Sequence, residues 1–127
     1  MSIAFSVLVV DDNPSLAESL TDILTIKEYK VYTASSGAEA LEVLRNHPVD
    51  VLLTDVRMPD MDGVKLHRAI KKIHPKIFTI LMTAYSADDI IQRGMAEGIK
   101  TVLNKPLDID FLLTLLSAAR RLVSKGE

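Results

Sequence analysis

The chain has 127 residues, enough for one domain with a real core. With 48% hydrophobic and 25% charged residues it reads as globular, and a net charge of -2 leaves no electrostatic footprint for nucleic acid. The lack of cysteine excludes disulfides and Cys-ligated zinc, and the apolar runs are too short for a bilayer span.

Residues 1–6 have no basic n-region and no cleavage pattern, so the expected setting is cytoplasmic, away from membranes. Residues 6–10 are β-branched and apolar and predict a strand buried on both faces. Asp11-Asp12 end it. Asn13 is a good N-cap and Pro14 suits the first helical position, where its missing N–H would have no partner. Leu16, Leu20, Ile23 and Leu24 follow as a narrow helical stripe that extends at most to Lys27. Residues 30–34 predict a shorter, more polar strand, as at a sheet edge. Ser36 and Glu39 have the spacing of a capping box for a second helix, which His47-Pro48 stops.

Residues 50–54 predict a third buried strand ending on Asp55, with Pro59 and Asp62-Gly63 punctuating the loop beyond it. The third helix carries Val64, Leu66, His67, Ile70 and Ile73 in phase, with His67 expected at the surface or core border. A fourth strand spans 77–82 and leads into Thr83-Ala84. A fourth helix, capped within 86–89, runs through Ile90, Ile91 and Met95 to Gly98. The fifth strand, 100–104, ends in Lys105-Pro106, and Asp108 caps a last helix from 109 to about 124, with Gly126 as a late breaker.

Five alternations of strand and helix with short loops imply right-handed βαβ crossovers and a parallel sheet covered on both faces. The expected fold is a three-layer, doubly wound α/β sheet of five βα units in the flavodoxin-like order 2-1-3-4-5. In such a sheet the strand ends meet at one edge. Asp11, Asp12, Asp55, Thr83 and Lys105 then converge. Clustered carboxylates repel unless a cation sits among them, and oxygen donors without His or Cys favour Mg²⁺ or Mn²⁺. A cation, a lysine and a hydroxyl are what a transferring phosphoryl group requires, with Asp55 as nucleophile.

These residues resemble the receiver domains of two-component response regulators. The resemblance rests on Asp11-Asp12, on Asp55 with Met58-Pro59-x-Met61-Asp62-Gly63, on Thr83-Ala84 and on Lys105-Pro106, and spans about residues 5–124 of a single domain, 1–127. It implies that a sensor histidine kinase or phosphotransfer protein donates a phosphoryl group to Asp55. It implies Mg²⁺ held by Asp12, Asp55 and the Arg57 backbone carbonyl, with Asp11 reaching the ion through water. Lys105 and Thr83 would grip the phosphoryl group, and a cis bond would precede Pro106. By the same resemblance the domain is a switch rather than an enzyme acting on other substrates. Its partners, a homodimer or an effector, would dock on the fourth helix, fifth strand and last helix.

The chain departs from this family at Val102, where an aromatic residue usually moves with the threonine; a stiff β-branched side chain cannot make that swing. An unphosphorylated interaction module therefore stands as the alternative function. A phosphohydrolase with an aspartate nucleophile fits poorly, because no second acid stands two residues after Asp55. Arg57 and Tyr85 are bulky and are expected to shield the aspartyl phosphate from water, the plainer reading being two solvated side chains. His47, His67 and His74 read as structural, and Arg120-Arg121 is too short for a nucleic-acid patch. The last helix is apolar over a wider arc than one sheet face needs.

Overall fold

The computed structural model describes residues 4–84, 88–99 and 101–125. Tyr85, Ser86, Ala87, Lys100 and Gly126, which figure in the expectations above, lie outside these residues. Five strands and five helices alternate. They are β1 (Ser6–Val10), α1 (Pro14–Ile26), β2 (Lys30–Ala34), α2 (Gly37–Asn46), β3 (Val51–Asp55), α3 (Gly63–Ile73), β4 (Phe78–Thr83), α4 (Asp88–Ala96), β5 (Thr101–Asn104) and α5 (Ile109–Lys125). The strands form one sheet, all neighbours parallel, in the order β2-β1-β3-β4-β5. The flavodoxin-like expectation is met, and the polar β2 lies at an edge.

The alternation of side chains along each strand divides the core in two. Val7 and Val9 of β1, Leu53 of β3 and Met82 of β4 face α1 and α5, where they meet Leu20, Leu24, Leu112 and Leu116. Leu8, Val10 and Leu52 face the other way, against Ala40 and Leu44 of α2 and Leu66 and Ile70 of α3. A smaller cluster of Val56, Val64, Leu81 and Ile99 lies beside it, with Ile90 and Val102 packed on its border. Leu52 and Leu53 have no exposed surface, and burial of each contributes about 1.5–3 kcal/mol.

Local signals set the helix ends. The Asn13 side chain accepts the N–H groups of Ser15 and Leu16, with Pro14 in the first turn. Ser36 Oγ accepts the Glu39 N–H, but the Glu39 carboxylate reaches back to the Ser35 N–H instead of the Ser36 N–H, so only half of the capping box forms. Asp62 caps α3 through the Lys65 N–H, and Asp108 caps α5 through the Phe111 N–H. Beyond α4, Gly98 takes a φ of +92°, a conformation that suits a residue without a Cβ.

Besides the half-formed capping box, three positions differ from expectation. Lys27 is the exposed C-cap of α1, outside its apolar stripe. Ile73, in the last turn of α3, is 57% exposed rather than buried with the rest of the stripe. His67 is 3% exposed, well inside rather than at the border. Its Nε2 faces the Glu97 carbonyl at 3.2 Å and its Nδ1 faces Thr79 Oγ1 at 2.6 Å. A carbonyl only accepts, so Nε2 carries the hydrogen, and neutral Nδ1 then accepts from the threonine hydroxyl.

Candidate functional site

The four strand ends named by the sequence meet at the carboxyl edge of the sheet. Asp11 leaves β1 with its N–H on the Ala34 carbonyl, and it is 2% exposed. Its Oδ1 accepts the Asn13 N–H at 2.8 Å, which turns the chain into α1. Its Oδ2 accepts from Lys105 Nζ at 2.7 Å. Asp55 ends β3 opposite Met82, and its Oδ2 accepts from the same ammonium at 3.2 Å. Asp55 Oδ1 accepts the Arg57 N–H at 3.4 Å, a long bond.

Asp12 is exposed. One carboxylate oxygen each from Asp11, Asp12 and Asp55 lies within 4.8 Å of the others. Thr83 is buried at the end of β4, and its carbonyl accepts the Lys105 N–H at 2.8 Å. The Lys105-Pro106 bond is cis, as expected.

The electrostatics follow from crowding. Burial raises the Asp55 carboxyl above its ordinary value against the pull of Lys105, and the neighbouring Asp11 charge adds to the rise. Burial also draws the Lys105 ammonium down, but its hydrogen bonds to Asp11 and Asp55 outweigh that, and it stays above its ordinary value. Two of the three acids, Asp11 and Asp55, therefore share one charged lysine, and Asp12 stands beside them. The donors are carboxylate oxygens with no histidine or cysteine, which suits a hard cation such as Mg²⁺. A cleft of about 430 Å³ opens beside Asp11 and Asp12, with Glu18 and Asp22 of α1 on its wall.

The loop from Arg57 to Asp62 has features that the sequence reading did not assign. Arg57 and Asp62 form an isolated antiparallel bridge, and the Gly63 N–H bonds back to the Val56 carbonyl at 2.8 Å. Asp62 Oδ2 pairs with Arg93 of α4 at 3.0 Å. Asp60 accepts the N–H groups of Gly37 and Ala38 at the start of α2. The partners of these acids are 31, 23 and 22 residues away in sequence, so no local pattern marks them.

Residues 7–117 match the response regulator receiver domain family. The chain belongs to that family. A response regulator receiver protein of Anaeromyxobacter sp. (strain Fw109-5) is 42% identical over 108 residues, 85% of this chain and 45% of that protein. The DNA-binding transcriptional regulator NtrC of Escherichia coli (strain K12) is 41% identical over 113 residues, 89% of this chain and 24% of that protein. The chain thus spans about a quarter to somewhat under half the length of these curated relatives. Response regulator protein TrrA of Thermotoga maritima, solved in complex with Mg(2+)-BeF, superposes with a TM-score of 0.77 at 28% identity, covering 91% of this chain and 98% of that one. Response-regulator receivers are phosphoacceptors of two-component signalling, and this receiver shares that role. Among its described residues no helix is long and apolar enough to cross a membrane.

Proposed function

We propose that this chain forms one receiver unit in which Asp55 accepts a phosphoryl group from the phosphohistidine of a sensor kinase or phosphotransfer protein. The observation that carries the assignment to these residues is Lys105 held between Asp11 and Asp55, with Asp12 completing the acidic cluster. Asp11, Asp12, Asp55 and the Arg57 backbone carbonyl would hold Mg²⁺. When bound, the ion would neutralise the carboxylates and the oxygens of the incoming phosphoryl group. Support for that ion comes from the oxygen-only donor set and from the Mg(2+)-BeF complex of TrrA.

In the transfer a carboxylate oxygen of Asp55 forms a bond to phosphorus while the phosphorus–nitrogen bond of the donor breaks, and the imidazole leaves with that electron pair. Lys105 pairs with the arriving phosphoryl oxygens as a point charge, and the Thr83 hydroxyl donates to one of them. The domain is a switch that takes part in its own phosphorylation and dephosphorylation, not an enzyme with a separate substrate. Arg57, which is exposed, shields the acyl phosphate from water; Tyr85 of that expectation is outside the described residues.

Met95 of α4 and Phe111 and Leu122 of α5 are 54%, 48% and 67% exposed, and the α4-β5-α5 face is the docking surface for an effector or a second copy. The domain works in the cytoplasm, without direct contact to nucleic acid or membrane. A module acting unphosphorylated would have no use for a full set of acids around a lysine.

The test is intact mass after incubation with Mg²⁺ and acetyl phosphate. One added phosphoryl group is expected, absent in Asp55→Ala and absent without Mg²⁺. Arg57→Ala is expected to lose the label faster than wild type. No label in the wild type, with Mg²⁺ shown to bind, would leave the unphosphorylated module standing.

A further inference from the structure

The geometry points to Asp60 as a positioning residue for phosphoryl acceptance: its carboxylate braces the loop after β3 on the N-terminus of α2 and so steadies the loop whose first residue, Arg57, would offer its carbonyl to the ion. This deepens the phosphoacceptor assignment and rests on it.

The first N–H groups of a helix have no partner within it. Ser36 Oγ takes the Glu39 N–H at 3.1 Å, the helix's own cap. The Gly37 and Ala38 N–H groups would otherwise go to water. They instead donate to Asp60, one to each carboxylate oxygen, at 3.0 and 2.9 Å. The bonds are charge-assisted and lie at the positive end of the helix dipole. They hold the Asp60 carboxyl below its ordinary value.

Asp60 is not part of α2. It sits midway along the loop from Arg57 to Asp62, whose ends are already joined by the bridge between those two residues. A loop closed at its ends still has freedom at its tip, and Asp60 removes it. The next residue, Met61, packs so tightly over the α2 start that a Cβ on Gly37 would lie 2.5 Å from its Cγ. The glycine thus lets the loop close down, and the carboxylate holds it there. The loop's first residue, Arg57, is the one whose carbonyl would help to hold the ion, so the brace and the bridge together limit how far that residue can shift. Supports one shell out from the ligands typically change metal affinity by about 10–100-fold.

The experiment separates bracing from simple loss of helix stability. Mg²⁺ is titrated, without phosphodonor, into wild type, Asp60→Ala, Asp60→Asn and Ser36→Ala, and followed by amide chemical shifts of Asp12 and Arg57. Ser36→Ala removes the helix's own cap and leaves the brace, so it shares the stability loss alone. The expected result is an Mg²⁺ midpoint raised about tenfold in Asp60→Ala. A smaller rise is expected in Asp60→Asn, which keeps one acceptor oxygen and is the variant to rely on if Asp60→Ala folds poorly. Ser36→Ala is expected to match wild type. Asp60 variants within twofold of a wild type that binds Mg²⁺ and takes the label would overturn the brace and leave Asp55 as phosphoacceptor. An equal shift in Ser36→Ala would also overturn it. A wild type that neither binds Mg²⁺ nor takes the label would end both.

Discussion

Gly63 opens α3 directly against Asp55, the proposed phosphoacceptor. A Cβ placed on it would lie 2.5 Å from the Asp55 carbonyl oxygen, 3.2 Å from Leu81 Cδ2 and 3.3 Å from Thr54 Cγ2. The first contact is against backbone, which has nowhere to go, since the Gly63 N–H and the Val56 carbonyl hold the turn closed at 2.8 Å. Overpacking costs about 1–3 kcal/mol in general, and a clash with main chain belongs at the upper end. Gly63→Ala is therefore expected to lose about 3 kcal/mol, which for a domain of this size lowers the melting temperature by about 10–15 °C. Gly94 in α4 is the comparison. A Cβ there meets its first neighbours, side-chain methyls of Leu81 and Val64, at 3.3 Å. Alanine gains up to about 1 kcal/mol of helix propensity over glycine, so Gly94→Ala should stay within about 1 kcal/mol of wild type. Urea unfolding followed by circular dichroism reads both, provided the m-value is unchanged. A Gly63→Ala midpoint equal to wild type would refute the argument, because it would mean that the turn beneath Asp55 yields freely.

Two further outcomes are expected. Burial holds the His67 imidazole below its ordinary pKa of 6.5, despite the Glu97 carbonyl bonded to it. The unfolded chain therefore takes up its proton first, so this contribution to stability is complete above pH 6.5 and is lost as the pH falls below it. His67→Gln should flatten the slope of unfolding free energy against pH just below 6.5, and an unchanged slope would remove His67 as its source. The Arg93–Asp62 pair, with side chains 42% and 15% exposed, should show a coupling of only about 0.3–1 kcal/mol in a double-mutant cycle of Asp62→Asn and Arg93→Gln. Asparagine keeps the α3 cap, so the cycle isolates the charge. Additive effects would show that the pair does not tie α4 to the loop.

What was legible in the sequence was local or periodic. β1 could be read because four consecutive apolar residues, Val7 to Val10, leave no polar face, and β2 because its exposed Lys30 and Thr33 mark an edge. The Asn13 cap and the Asp108 cap follow from residue type and position alone. The site could be read because each of its residues ends a strand, and a parallel sheet puts strand ends together. His67 could not be placed, since its partners lie 12 and 30 residues away and a histidine in an apolar stripe looks the same at a border as inside. Asp60 looked like any turn residue, because its function is set by the start of a helix on a neighbouring element. Glu39 had the right spacing for a reciprocal cap, yet its carboxylate also has the Ser35 hydroxyl within reach at 3.2 Å, and that pulls it one residue upstream.

Lys105 divides its charge between two acids of unequal depth. Its inner partner, the Asp11 side chain, has no exposed surface, while the Asp55 side chain keeps 14%. The deep acid is the closer and better shielded partner, and the outer acid is the one open to solvent. Were Asp55 to take the proposed phosphoryl group, the ammonium could turn toward a new oxygen without leaving Asp11. At no stage does a half-buried cation stand alone, which is the arrangement that would cost most. On the proposed chemistry the lysine would serve as a pivot, anchored on Asp11 and able to exchange its partner on the other side. A pivot of that kind would let the phosphoryl group be gained and lost with little electrostatic resistance in either direction.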